Sequence, residues 1–103
     1  LKKKRGVITA GLQIEMRPVL ILVENLWKAL GKEAVITSAL DGMHSAGSLH
    51  YYGYALDFRI WGIAKNDLST IVANLQKELG SKYDVILHKT HIHVEYQEVL
   101  NNG

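Results

Sequence analysis

Apolar residues along this chain follow two spacings, one helical and one alternating, and the switches between them outline the domain. From about Pro18 to Leu30, Val19, Leu22, Val23, Leu26 and Leu30 recur every three or four residues, which predicts a helix with one buried face. Pro18 suits the first helical turn, where a missing N–H costs nothing, and Gly31 suits a left-handed stop. A second helix is predicted from about Asp67 to Leu79. Leu68, Ile71, Val72, Leu75 and Leu79 form its stripe, Asn66 is its expected cap and Gly80 its stop.

The remaining apolar segments read as strands. Ala34-Val35-Ile36-Thr37 is short and rich in β-branched residues. From Tyr54 to Ile60 the pattern alternates: Tyr54, Leu56, Phe58 and Ile60 point one way, and Ala55, Asp57 and Arg59 the other. Two more strands, Tyr83 to His88 and His91 to Tyr96, close a hairpin at Lys89-Thr90, without the usual Asn-Gly turn chemistry. Helix, strand, irregular loop, strand, helix, hairpin is the order of an α+β domain: a small, mainly antiparallel sheet with two helices packed on one face.

With 103 residues, one domain is expected over residues 1–103, with its motif-bearing core at about 18–96. The composition, 48% hydrophobic and 21% charged, is that of an ordinary globular protein. A formal net charge of +2 gives no case for a nucleic-acid partner. The Lys2-Lys3-Lys4-Arg5 run reads as a frayed, solvated terminus, with contact to an anionic polymer such as a cell wall as the alternative. Val19 to Val23 is too short an apolar run, follows Pro18 and continues into Glu24, so neither a signal peptide nor a membrane span is expected. There is no cysteine, so any metal site must draw on His, Asp and Glu.

The five histidines change the picture by their placement. His44 and His50 lie in the polar, glycine-containing stretch from Asp41 to Gly53. On the last strand, His91, His93 and Glu95 share one face, while Ile92, Val94 and Tyr96 share the other. A hairpin closing at Lys89-Thr90 sets His88 opposite His91 on that same polar face. A solvated strand face and a functional groove both fit this pattern. The segment Ser48-Leu49-His50-Tyr51-Tyr52-Gly53-Tyr54-Ala55-Leu56-Asp57 tips the balance, because it sets a loop histidine ahead of a strand whose Asp57 faces away from the apolar set. Such a carboxylate needs a partner, and a metal shared with nearby histidines supplies one. Zinc suits imidazole and carboxylate ligands, and its catalytic sites use three protein ligands plus water.

These residues resemble the zinc peptidase superfamily of D-Ala-D-Ala carboxypeptidases, L-Ala-D-Glu endolysins, penicillin-insensitive murein endopeptidases and Hedgehog signalling domains. Its first motif, Ser-x-His-x-x-Gly-x-Ala-x-Asp, is complete here from Ser48 through His50, Gly53 and Ala55 to Asp57. Its second motif, His-x-His, is His91-Ile92-His93. The resemblance covers roughly Pro18 to Tyr96 and implies a zinc ion (Zn2+) held by His50, Asp57 and His93. It also implies a general base, and here the sequence departs from part of the family. Carboxypeptidases and endolysins carry Glu or Asp three residues before the last ligand, where this chain has Thr90. Hedgehog domains carry Glu six residues before it, where this chain has Leu87. The murein endopeptidase branch uses histidines two and five residues before it, and His91 and His88 match both. The resemblance therefore assigns His91 as general base and acid, with His88 assisting, and leaves Glu95 as an alternative base or an outer-shell partner.

A second departure is the carbonyl-polarising Arg of many carboxypeptidase relatives. The stretch after Thr37-Ser38 offers Asp41 instead. Arg59, on the Asp57 face, is a candidate substitute, although an exposed strand arginine is the plainer reading. Ser48 and Tyr52 are further candidates for substrate contact, against roles in holding the loop and in packing. Gly53 is expected to serve a tight backbone approach, and Trp27 and Trp61 to serve packing. What the resemblance implies is a peptidase acting beside D-amino acids in peptidoglycan stem peptides or cross-links, with a phage lysis or tail enzyme as one setting. The alternative is a non-catalytic zinc domain that recognises a glycan, peptide or protein partner.

Overall fold

A computed structural model describes residues 1–40 and 52–97 of the chain. Its elements run β1 (Lys2–Lys3), a 3-10 turn (Ile14–Met16), α1 (Arg17–Ala29), β2 (Val35–Ser38), β3 (Ala55–Arg59), α2 (Lys65–Leu79), β4 (Tyr83–Leu87) and β5 (His91–Tyr96). The domain is α+β: the five strands form one mixed sheet in the order β1-β2-β3-β5-β4, with two helices. Only the β1–β2 pair is parallel; the other neighbours are antiparallel.

Both predicted helices form, because each carries a stripe that the sheet can cover. Val19, Val23 and Trp27 on α1 and Leu68, Ile71 and Leu75 on α2 are buried in one cluster with Ile36, Leu56, Phe58, Val85, Ile92 and Val94 from the strands. Trp27 meets Phe58 with ring centroids 6.2 Å apart, which ties α1 to the central strand. Complete burial of each such side chain contributes about 1.5–3 kcal/mol. Gln76 joins α2 to the hairpin through polar contacts: its Nε2 donates to the carbonyl of Tyr83 at 2.8 Å, and the Val85 N–H donates to its Oε1 at 3.1 Å.

Three expectations are corrected. Asn66 does not cap α2; the helix begins at Lys65, and Ala64 holds the cap position with no side-chain cap bond. Asp67 still places a negative charge in the first turn, where the helix dipole favours it. The Lys2–Arg5 run is not frayed along its whole length. The Lys2 N–H donates to the Ala34 carbonyl and the Lys4 N–H to the Ile36 carbonyl, both at 2.8 Å, so backbone pairing holds β1 while its side chains stay in solvent. Trp61 is 70% exposed rather than packed in the core, whereas Trp27 is buried as expected.

Gly53 meets a specific backbone demand. It adopts φ +81°, and a Cβ there would stand 2.6 Å from the Gly11 carbonyl oxygen. Its own carbonyl accepts from the Gln13 N–H at 3.0 Å, so the segment before α1 clasps the start of β3. Among the described residues, no helix is long and apolar enough to cross a membrane.

Candidate functional site

The polar face of the sheet is built by register. β3 and β5 pair Asp57 with His93, Arg59 with His91 and Ala55 with Glu95, while β4 and β5 pair Ile86 with His93. Alternation sends Leu56, Phe58, Ile92 and Val94 into the core, so Asp57, Arg59, His91, His93 and Glu95 share the opposite face. The His88 N–H donates to the His91 carbonyl at 2.9 Å, which closes the hairpin and brings His88 to that face as its position predicts. The His88 and His91 rings lie 4.8 Å apart between centroids, and those of His88 and His93 6.1 Å.

Asp57 is the buried charged side chain among the described residues, at 9% exposure. It sits on the central strand, whose first four residues are buried, and its desolvated carboxylate needs a donor. His93 supplies it: its Nδ1 lies 2.8 Å from Oδ1 of Asp57. The other ring nitrogen, Nε2, lies 2.7 Å from Oε1 of Glu95. Burial opposes charge on this imidazole and is the largest single influence, but hydrogen bonds to Asp57 and Glu95, with their negative charge, together outweigh it. The pKa of His93 is held above the ordinary imidazole value as a result.

His91 stands one step along the strand. Its Nε2 is 3.7 Å from Oδ2 of Asp57, and its Nδ1 is 2.9 Å from the Thr90 hydroxyl. Thr90 stands three residues before His93, and its hydroxyl engages the neighbouring histidine. Sequence reading passed over this contact because adjacent residues on an ideal strand face opposite ways, and only the turn geometry brings them together.

Arg59 lies on the Asp57 face as predicted, but it is half-buried rather than fully exposed. Its guanidinium carbon sits 3.8 Å from the centroid of the Trp61 ring. With Lys4, Thr37, Thr90 and His91, these two residues line a pocket of about 200 Å³. Cavities of about 310 Å³ against Glu24, Lys28 and Lys32, and about 490 Å³ against Ile14, Pro18 and Ile21, lie away from the histidine face. Tyr52 is exposed, and its carbonyl accepts from Gln13 Nε2 at 3.2 Å, which anchors the strand entrance. His50 and Ser48, together with Asp41, His44 and Tyr51, lie outside the described residues.

Among the described residues, no three His, Asp or Glu side chains form a complete metal-binding group. Two of the three expected ligands, Asp57 and His93, are nevertheless in direct contact. Their donor types, a carboxylate oxygen and an imidazole nitrogen, are those zinc takes. A 2.8 Å separation needs to open only by a few tenths of an ångström for both atoms to reach one ion, since Zn–N and Zn–O bonds are about 2.0–2.2 Å. Glu95 on the far nitrogen gives the outer-shell partner that metal-bound histidines use. The pair fits zinc.

The chain matches no known protein family, no curated protein and no solved structure in comparisons with each.

Proposed function

We propose that this chain is a zinc peptidase domain that hydrolyses peptide bonds next to D-amino acids in peptidoglycan, with His50, Asp57 and His93 holding the metal. The observation that carries this reading is the His93 ring set between two carboxylates. Glu95 engages Nε2, and this leaves Nδ1 beside Asp57 as the nitrogen able to share an ion with it. The resemblance carried by the two motifs, Ser48 to Asp57 and His91-Ile92-His93, is the second support, and it alone bears on the substrate class.

Zinc in such a site supplies Lewis-acid polarisation of a carbonyl and lowers the pKa of water from about 16 to about 7. The residues of this chain then have separable roles. Asp57 and His93 orient ligand atoms from two paired strands, and the sheet keeps their spacing rigid. Glu95 fixes the tautomer and rotation of the His93 ring. His91, with Nδ1 2.9 Å from the Thr90 hydroxyl and Nε2 on the Asp57 side, is the imidazole that takes a proton from the attacking water and returns it to the leaving amine. His88, its ring 4.8 Å from that of His91, stands where a side-chain N–H steadies negative charge developing on the substrate.

The test is elemental analysis of the purified protein followed by amine release from purified peptidoglycan. One zinc per chain and metal-dependent release, both lost in His93→Ala, are expected. Stoichiometric zinc without turnover on peptidoglycan, D-Ala-D-Ala peptides or murein dimers selects the non-catalytic recognition domain. An active His93→Ala protein that binds no metal overturns the proposal.

A further inference from the structure

The run Val19-Leu20-Ile21-Leu22-Val23 is apolar all round, more than a helix with one buried face requires. Val19 and Val23 are fully buried in the core, and Leu20 and Leu22 pack at its margin. Ile21 is left on the outer side of α1, 55% exposed, and Ile14 just before the helix is 68% exposed. With Pro18 and Leu22 they line a groove of about 490 Å³, bordered by the start of α1 and, through Glu78, by the end of α2. Two large aliphatic side chains held in water in one groove carry a hydration cost that the packing of a single chain does not recover.

The rim of the groove carries one charge of each sign. Arg17 comes from α1 and Glu78 from α2; both are exposed, and neither has an ion-pair partner among the described residues. A membrane surface calls for a cationic rim, and these two charges cancel. An apolar centre flanked by one cation and one anion is instead complementary to itself. A two-fold axis over the groove brings Arg17 of each copy to Glu78 of the other and closes Ile14 and Ile21 away from water. We propose that this groove is the contact between two copies of the chain in an isologous dimer. It belongs to the helical layer, whereas Asp57 and His93 lie on the opposite face of the sheet, so pairing leaves both histidine faces open. Dimer formation by this route requires neither zinc nor hydrolysis.

Sedimentation equilibrium of the full chain over about 1–500 µM reads the association. A reversible species of twice the 11.5 kDa chain mass is expected, with a dissociation constant on the order of 10 µM. Ile21→Asp, at an exposed position, should weaken it at least about tenfold. Arg17→Glu and Glu78→Arg each set like charges against one another at both symmetric contacts, and each should weaken it by about tenfold or more. The two exchanges together in one chain should return it to within about threefold of the unaltered value. Both exchanges suit the helix dipoles, a carboxylate at the start of α1 and a guanidinium at the end of α2, so loss of fold does not mimic loss of contact. A chain that stays monomeric throughout the range overturns the dimer. So does a dimer indifferent to Ile21→Asp, or one that the double exchange fails to rescue. A monomer whose groove takes up an apolar dye only after removal of residues 98–103 gives the groove to the end of its own chain and overturns the dimer as well.

Discussion

His93 and Asp57 face each other directly across the central strands, with Nδ1 of the imidazole 2.8 Å from Oδ1 of the carboxylate. That contact joins residues 36 positions apart, one from each sequence motif, and it does so through backbone register. A buried carboxylate and a half-buried imidazole are costly to desolvate separately, and together they hold their geometry.

Replacing Glu95 with Gln tests whether the outer carboxylate orients the ligand. The substitution keeps the shape and removes the charge that engages Nε2 of His93 at 2.7 Å. Zinc affinity is expected to fall 10- to 100-fold, the usual cost of losing such a partner. Competition against a chromophoric chelator measures it; affinity within twofold of the unaltered protein assigns Glu95 no orienting role.

Thr90→Val removes the hydroxyl 2.9 Å from His91 Nδ1 and leaves the proposed zinc ligands untouched. The ring then loses the contact that holds its orientation, so kcat should drop about tenfold while zinc content is retained. A rate loss accompanied by loss of metal would instead mark Thr90 as a structural support of the whole site.

At Gly53 the expected effect is on stability. Alanine there must adopt φ +81° and place its Cβ 2.6 Å from the Gly11 carbonyl oxygen, a contact that only a backbone shift relieves. Positive φ alone costs about 1–2 kcal/mol, and the displaced clasp on Gln13 adds to it. Urea unfolding of Gly53→Ala should show a loss of at least about 2 kcal/mol; a loss under about 0.5 kcal/mol contradicts the close approach.

Tyr83 makes stability depend on pH in the alkaline range. Its hydroxyl donates to the Glu15 carbonyl at 2.6 Å, a bond only the neutral phenol makes. Burial, followed by the nearby Tyr96 and Glu15, raises its pKa above the usual value of 10.0. Because the folded-state value is the higher one, this contribution is complete below the unfolded pKa and is lost as pH rises from about 10 through the folded value. Tyr83→Phe should cost about 1 kcal/mol near neutrality and flatten the decline in stability above pH 10, as read by thermal unfolding across pH.

By itself, the sequence determined the elements whose residues carry their own periodicity. The stripes through Val19 to Leu30 and Leu68 to Leu79 named both helices, and alternation from Tyr54 to Ile60 and His91 to Tyr96 sorted Asp57, His91, His93 and Glu95 onto one face. Side chains two residues apart on a strand share a face whatever lies beyond it, so that much needed no knowledge of the fold. Tertiary structure alone decided which strands are neighbours, and therefore that Asp57 meets His93 and Arg59 meets His91. It also decided that Lys2 and Lys3 join the sheet, that Trp61 lies outside the core against Arg59, and that Ile14–Met16 forms a turn with Met16 buried. These outcomes depend on backbone hydrogen bonds and burial shared between distant segments, and backbone groups are the same in every residue, so no local pattern announces them.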